Sequence, residues 1–305
     1  MPKAKGNGVE LEFDVFGSNK DEPILLIMGL GAQMLLWNEE FCEKLSARGH
    51  QVIRFDNRDT GLSTWFDELG TPNLAEIIAA GPGGAHSSPP YTLDDMADDA
   101  MVVLDALNID QAHICGASMG GMIAQTVAIR HPKRVKSLTS IMSTTGNAEL
   151  PPPTPEAIAM LATPVPSERE GAIERAVAAE RVLGSPAYPV EPEKSREQAG
   201  ILHDRAFHPE GTARQMAAIA AHGNRSAALK TLTVPTLVIH GRHDPLVPLE
   251  GGLDTHQAVA DAELLLIDGM GHNMPEPLWD QIIDRIAQLT ARASKDSALP
   301  SDETA

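Results

Sequence analysis

Residues 9 to 15 alternate without a break: Val9, Leu11, Phe13 and Val15 are apolar, and Glu10, Glu12 and Asp14 between them are charged. A period of two with a single apolar face predicts a half-exposed strand. Asn7-Gly8 just before it is a hairpin signal, so a short strand over residues 2 to 6 is expected to pair with it. Beyond Gly17 the alternation gives way to short, mostly apolar runs at residues 24–28, 52–55, 112–115, 138–142, 236–240 and 263–267. Runs that are apolar on both sides fit strands covered on both faces, as in a parallel sheet.

Helical periodicity fills several of the intervals. Trp37, Phe41 and Leu45 form one stripe, stopped by Gly49. Thr92 with Asp95 makes a capping pair that opens a second helix, whose core face is Met96, Ala100, Val103 and Leu107. Met119 to Arg130 is apolar nearly all round, as expected of a central, buried helix. Strands and helices in alternation predict an α/β fold with right-handed crossovers. The alternation lapses between residues 146 and 225, where Pro151, Pro152, Pro153 and Pro155 precede Ala-rich helical pieces and no apolar strand run occurs. The sheet pattern resumes at Val234-Pro235, so residues 1–145 and 226–294 are expected to form the core, residues 146–225 an inserted helical cap, and residues 295–305 a flexible tail.

Composition narrows the partners. The 305 residues include 24 Lys and Arg against 42 Asp and Glu, a formal charge of −18. Polyanions such as nucleic acid and anionic membranes should be repelled by this excess. Homo-oligomers are compatible with it. Cys42 and Cys115 show neither metal-ligand spacing nor a CxxC motif, and so low a count suits a reducing compartment. The basic N-terminal residues are followed by no apolar segment, and Ile24 to Ala32 is too short to span a bilayer. A cytoplasmic protein without metal or cofactor is the expectation.

Gly116-Ala117-Ser118-Met119-Gly120 lies between a predicted strand and a predicted helix, the context required of a nucleophile elbow. In such a turn the serine hydroxyl stands above the strand end, and side chains two positions away on either side would collide. A serine hydroxyl needs a base. Of the eleven histidines, His272 follows the last predicted strand in a loop, whereas His240 ends the preceding strand and His203, His208 and His222 fall in the cap. The base in turn needs an acid to set its tautomer. Asp244 lies just past the 236–240 strand; Asp268, at the end of the last strand, fits a turn-forming role better. Oxyanion donors are expected from the backbone N–H of Met119 and, in the Met28-Gly29-Leu30-Gly31 loop, from that of Leu30. Trp37 and the region of Met142 are candidates to line an acyl pocket.

These residues resemble the α/β-hydrolase family, and the likeness covers nearly the whole chain, most weakly across the cap. Asp56-Asn57-Arg58-Asp59-Thr60-Gly61-Leu62-Ser63 is similar to a family loop that commonly reads Asp-x-Arg-Gly-x-Gly-x-Ser. Its Arg-Asp-Thr-Gly form, with Met28-Gly29 opening the oxyanion loop, is more like the carboxylesterases related to aclacinomycin methylesterase. Arg58 and Asp59 are read as structural hydrogen bonders. The resemblance implies an eight-stranded, mostly parallel sheet, a helical cap after the sixth strand, and a cofactor-free serine hydrolase acting on a small-molecule carboxylic ester. A lactonase, a carbon–carbon bond hydrolase or a perhydrolase would use the same triad. Outside the enzymes, a ligand-binding receptor on this fold is the alternative, and it would have no need of an activated serine.

Overall fold

The computed structural model describes residues 2–80 and 89–298. Its strands are β1 (Lys3–Gly6), β2 (Val9–Phe16), β3 (Glu22–Ile27), β4 (His50–Phe55), β5 (Ala112–Ala117), β6 (Val135–Ile141), β7 (Thr236–Gly241) and β8 (Glu263–Ile267). They form one sheet in the order β1-β2-β4-β3-β5-β6-β7-β8. β1–β2 and β2–β4 pair antiparallel, and every other pair is parallel. The expected hairpin is present: Asn7 and Gly8 both have positive φ, 50° and 78°, as a two-residue turn of matching twist requires.

The core helices are α1 (Glu39–Ser46), α2 (Leu74–Ala80), α3 (Leu93–Ala106) and α4 (Met119–Arg130). After β6 come α5 (Pro155–Ala162), α6 (Arg169–Leu183), α7 (Pro192–Arg205), α8 (Pro209–His222) and the short α9 (Ser226–Leu229). The core then resumes with α10 (Leu249–Ala258) and α11 (Trp279–Ala298). Thr92 and Asp95 form the capping box that opens α3, with Met96, Ala100 and Val103 buried. α11 continues past residue 294 to Ala298, and the rest of the expected tail lies outside the described residues.

The continuous apolar runs are explained by two separate cores. Leu25, Ile27, Ile53, Phe55 and Ile114 face α3 and α4. Ile24, Leu26, Val52, Cys115 and Ile239 face the other way, onto α1 and α11. Neighbours along one strand therefore enter different cores. Trp37 belongs to the second of these, fully buried beside Phe41 at 5.6 Å between ring centres, so it is core and not pocket lining.

Two strands depart from their patterns. The polar face of β2 was expected to meet solvent, yet Glu12 is buried. The 56–64 loop covers it: Glu12 N–H donates to Ser63 Oγ at 2.9 Å and Asp56 N–H donates to Glu12 O at 2.9 Å. Conversely, β8 is as apolar as a central strand, but Leu264, Leu265 and Leu266 are only half-buried. It is the edge strand, and periodicity carries no information on position within a sheet.

Candidate active site

Ser118 stands between β5 and α4 with φ 57° and ψ −121°. This backbone region disfavours a non-glycine residue, and surrounding contacts must impose it. They do: Ser118 N–H donates to Ile141 O at 2.9 Å, and Ser143 Oγ donates to Ser118 O at 2.8 Å. The expected collisions are also real. A Cβ on Gly116 would lie 1.9 Å from Gly120 O, and one on Gly120 would lie 2.0 Å from Ile27 O. Both obstacles are main chain, so neither can swing aside.

The structure brings Ser118, His272 and Asp244 together. His272 Nε2 is 2.9 Å from Ser118 Oγ, and His272 Nδ1 is 2.7 Å from Asp244 Oδ2. Asp244 is spoken for on its other oxygen: Oδ1 accepts from Leu246 N–H at 2.9 Å and Val247 N–H at 2.8 Å. Those bonds aim Oδ2 at the imidazole, so the Nδ1–H tautomer leaves Nε2 as acceptor for the serine proton. The side chain of Asp244 is fully buried and that of His272 is 8% exposed, which keeps water from competing for the relay.

The competing residues are elsewhere. Asp268 is 87% exposed and pairs with Arg242 at 3.0 Å. His240 is buried beside Asp244, its Nε2 donating to Val247 O at 2.8 Å. Burial lowers its pKa and favours the neutral ring. His208 is bound up with Arg214, and His203 lies on α7, next to Asp204.

The Met28-Gly29-Leu30-Gly31 loop, expected to supply an oxyanion donor, runs beside the serine: a Cβ on Gly29 would lie 3.6 Å from Ser118 Oγ. Among the described residues, the N–H groups of Leu30 and Met119 have no acceptor in the protein. The loop is held from both sides. Asn57 Nδ2 donates to Met28 O at 2.9 Å, and Gly31 N–H donates to Gln215 Oε1 at 2.7 Å.

Arg58 and Asp59 are indeed structural. Arg58 makes a bidentate pair with the buried Asp99 at 2.7 and 2.8 Å. Asp59, with φ 64°, makes another with the fully buried Arg214 of α8 at 2.8 Å on each arm. Burial alone would raise the Asp59 carboxyl; the hydrogen bonds from Arg214 and from Phe66 N–H outweigh it and hold the pKa below the usual range.

Sequence reasoning did not single out Arg214, Gln215, Ser185, Glu180 or Asn273. Asn273, beside His272, was the one within reach of a motif; Glu180, Arg214 and Gln215 sit in Ala-rich helical sequence and Ser185 in the Gly184-Ser185-Pro186 turn after α6, none of which marks a role. Among the described residues no group of three or more His, Cys, Asp or Glu side chains is placed to hold a metal ion. Nor is any described helix long and apolar enough to cross a membrane.

Residues 22–176 match the family model described as alpha/beta hydrolase fold, and residues 210–284 match one described as TAP-like protein. Rhodomycin D methylesterase DauP of Streptomyces sp. strain C5 is 27% identical, the match covering 94% of this chain and 96% of that one. 2-Hydroxymuconate semialdehyde hydrolase of Pseudomonas sp. strain CF600 is 32% identical over 78% of this chain and 83% of its own. The enol-lactonase of Burkholderia xenovorans LB400 superposes with a TM-score of 0.70 at 22% identity, over 95% of this chain and 100% of the other.

Proposed function

The chain belongs to the α/β-hydrolase family, and from that premise we propose that it is a serine hydrolase of carboxylic esters, working through an acyl-enzyme. The observation that carries the reading is the relay from Ser118 Oγ through His272 to Asp244, with links of 2.9 and 2.7 Å. Ser118 attacks the ester carbonyl while His272 Nε2 takes its proton. Asp244 stabilises the imidazolium that forms. The tetrahedral oxyanion lies between the N–H groups of Leu30 and Met119, two preorganised donors that need no reorganisation as charge develops. His272 returns the proton to the departing alcohol. Water then enters by the same route in reverse and releases the acid.

The relationship to a methylesterase over nearly its full length supports an ester with a small alcohol. Similarity to a semialdehyde hydrolase keeps carbon–carbon bond cleavage as the second reading, since the same three residues would serve it. A panel of aryl and methyl esters, lactones and vinylogous diketones ranks these by kcat/KM. In the Ser118→Ala variant, ester hydrolysis should fall by about 10⁴ to 10⁶ in kcat. Retention of more than a few per cent of activity in a pure, folded sample would refute the assignment. Absence of turnover on every substrate class by wild-type protein would favour a receptor.

A further inference from the structure

We propose that the cap positions the general base: Ser185, Glu180 and Asn273 clamp the loop that carries His272. The proposal rests on reading His272 as the base. None of the three touches the reacting atoms, so all are positioning residues.

The loop after β8 changes its support midway. As far as Met270 its main-chain donors go to the core, and only Gly269 O reaches across, accepting from Ala187 N–H at 3.2 Å. Met270 is fully buried, its carbonyl accepts from His243 N–H at 3.1 Å, and Gly269 N–H donates to His243 Nδ1 at 3.1 Å. From Gly271 the main-chain donors turn to the cap. Gly271 N–H donates to Ser185 Oγ at 2.9 Å, and His272 N–H donates to Leu183 O at 2.7 Å. The Asn273 side chain completes the clamp. Its Oδ1 accepts from Ser185 Oγ at 2.5 Å and its Nδ2 donates to Glu180 Oε1 at 2.5 Å. Ser185 hydroxyl is thus used in both directions, accepting from one side of His272 and donating to the other.

Close packing shows that the fit is tight: a Cβ on Gly271 would lie 2.3 Å from Gly184 O. Behind the clamp, however, the protein is open. Glu180 and Ser185 line a cavity of about 350 Å³ bordered by Val177, Pro186, His243 and Pro245. On that side the hydrogen bonds of Glu180 and Ser185 are not backed by close packing. Burial raises the Glu180 pKa, partly offset by the bond from Asn273; an amide donor at position 273 satisfies the carboxyl in either protonation state.

Precision is what the clamp supplies. His272 must reach Ser118 and Asp244 at once, and a misplacement of about 1 Å at such a group costs about 10²-fold in rate.

The test is a set of variants measured on one aryl ester. Ser185→Ala should lower kcat by about 10- to 100-fold with KM within about twofold, because ground-state binding is untouched. Ser185→Thr, which keeps the hydroxyl, should recover most of that loss. Glu180→Leu should lower kcat likewise, and Glu180→Gln, which keeps an acceptor for Asn273, should recover most of it. Proton NMR gives a readout independent of turnover: the downfield resonance of the His272 Nδ1–H shared with Asp244 should broaden in Ser185→Ala and sharpen again in Ser185→Thr. A folded Ser185→Ala with wild-type kcat and resonance overturns the proposal, as does a loss confined to KM. Should Ser185→Ala fail to fold, the Glu180 pair decides on the same criteria. Because the resonance is read without substrate, the clamp can be judged even if the ester reading fails.

Discussion

The Ser118 turn and the His272 loop meet at 2.9 Å, yet they are built on opposite principles. The contacts that impose the Ser118 turn come from the core: Ile141 and Ser143 bond to Ser118 itself, and Gly116 and Gly120 pack against main chain, the latter against Ile27. Apart from the Ser143 hydroxyl just past β6, they are strand ends and the first turn of a helix, main chain against main chain. His272 is held differently. Its loop leaves an edge strand, and its outer side is fixed by residues 183 to 187 and Glu180, which belong to the insertion between β6 and β7. Half of the site is thus part of the sheet's own construction, and half depends on a segment that adds no strand to the sheet. Asp244 stands with the core, since its own turn supplies the N–H groups that orient it.

The largest expected effect tests whether the acid is as firmly placed as the elbow. Asp244→Asn should lose about 10⁴ in kcat, because the amide keeps the geometry but favours the wrong imidazole tautomer. Asp268→Asn on the same substrate should change kcat less than twofold, as roughly neutral effects are usual for an exposed pair. Equal losses from the two would mean that the acid's position is not what the core decides.

A second measurement separates cap from core by stability. Arg214→Met removes the only cation that makes a bidentate bond to the buried Asp59 among the described residues. Leaving such a charge unpaired should cost about 3–5 kcal/mol. Urea unfolding should show the cap yielding first, with early proteolysis within residues 146–225. A single transition at the wild-type midpoint would break the comparison, because core and cap would then not be separable.

The smallest effect is in acid. Burial pushes His113 of β5 down to about 3, and burial, with Arg225 nearby, pushes His222 of α8 down to about 4, both from an ordinary 6.5. In each case the unfolded chain takes up a proton that the folded one refuses. Their contribution is therefore complete above about pH 6.5 and is lost as pH falls, down to about 4 for His222 and about 3 for His113. Stability against pH should decline over this window. His222→Asn should flatten only the upper part of the slope, and His113→Asn should flatten it further into acid. Identical slopes in both variants and wild type would show that these rings do not couple to folding.

Much of this architecture was legible in the chain. The strand runs, the Asn7-Gly8 hairpin, the Thr92–Asp95 cap and the elbow glycines are local devices. Each works through residues within a turn or two of one another, so their physics is written in adjacent letters. His272 and Asp244 were readable for a related reason: each follows a strand end, and strand carboxyl ends converge where an α/β site forms. Only tertiary structure could decide what is non-local. Glu12 is buried because a loop some fifty positions on folds over it, with Ser63 as partner. Leu264 to Leu266 are half-exposed because β8 ends the sheet. Trp37 is core because α11 closes over that face. Gln215, 184 residues from Gly31, and Ser185, 86 residues from Gly271, meet the loops around Ser118 only once the segment between β6 and β7 has docked. From the chain alone Ser118, Asp244 and His272 could be picked out as candidates. The docking of the cap decided how they are held, because a hydrogen bond between distant segments leaves no periodicity, spacing or motif in either.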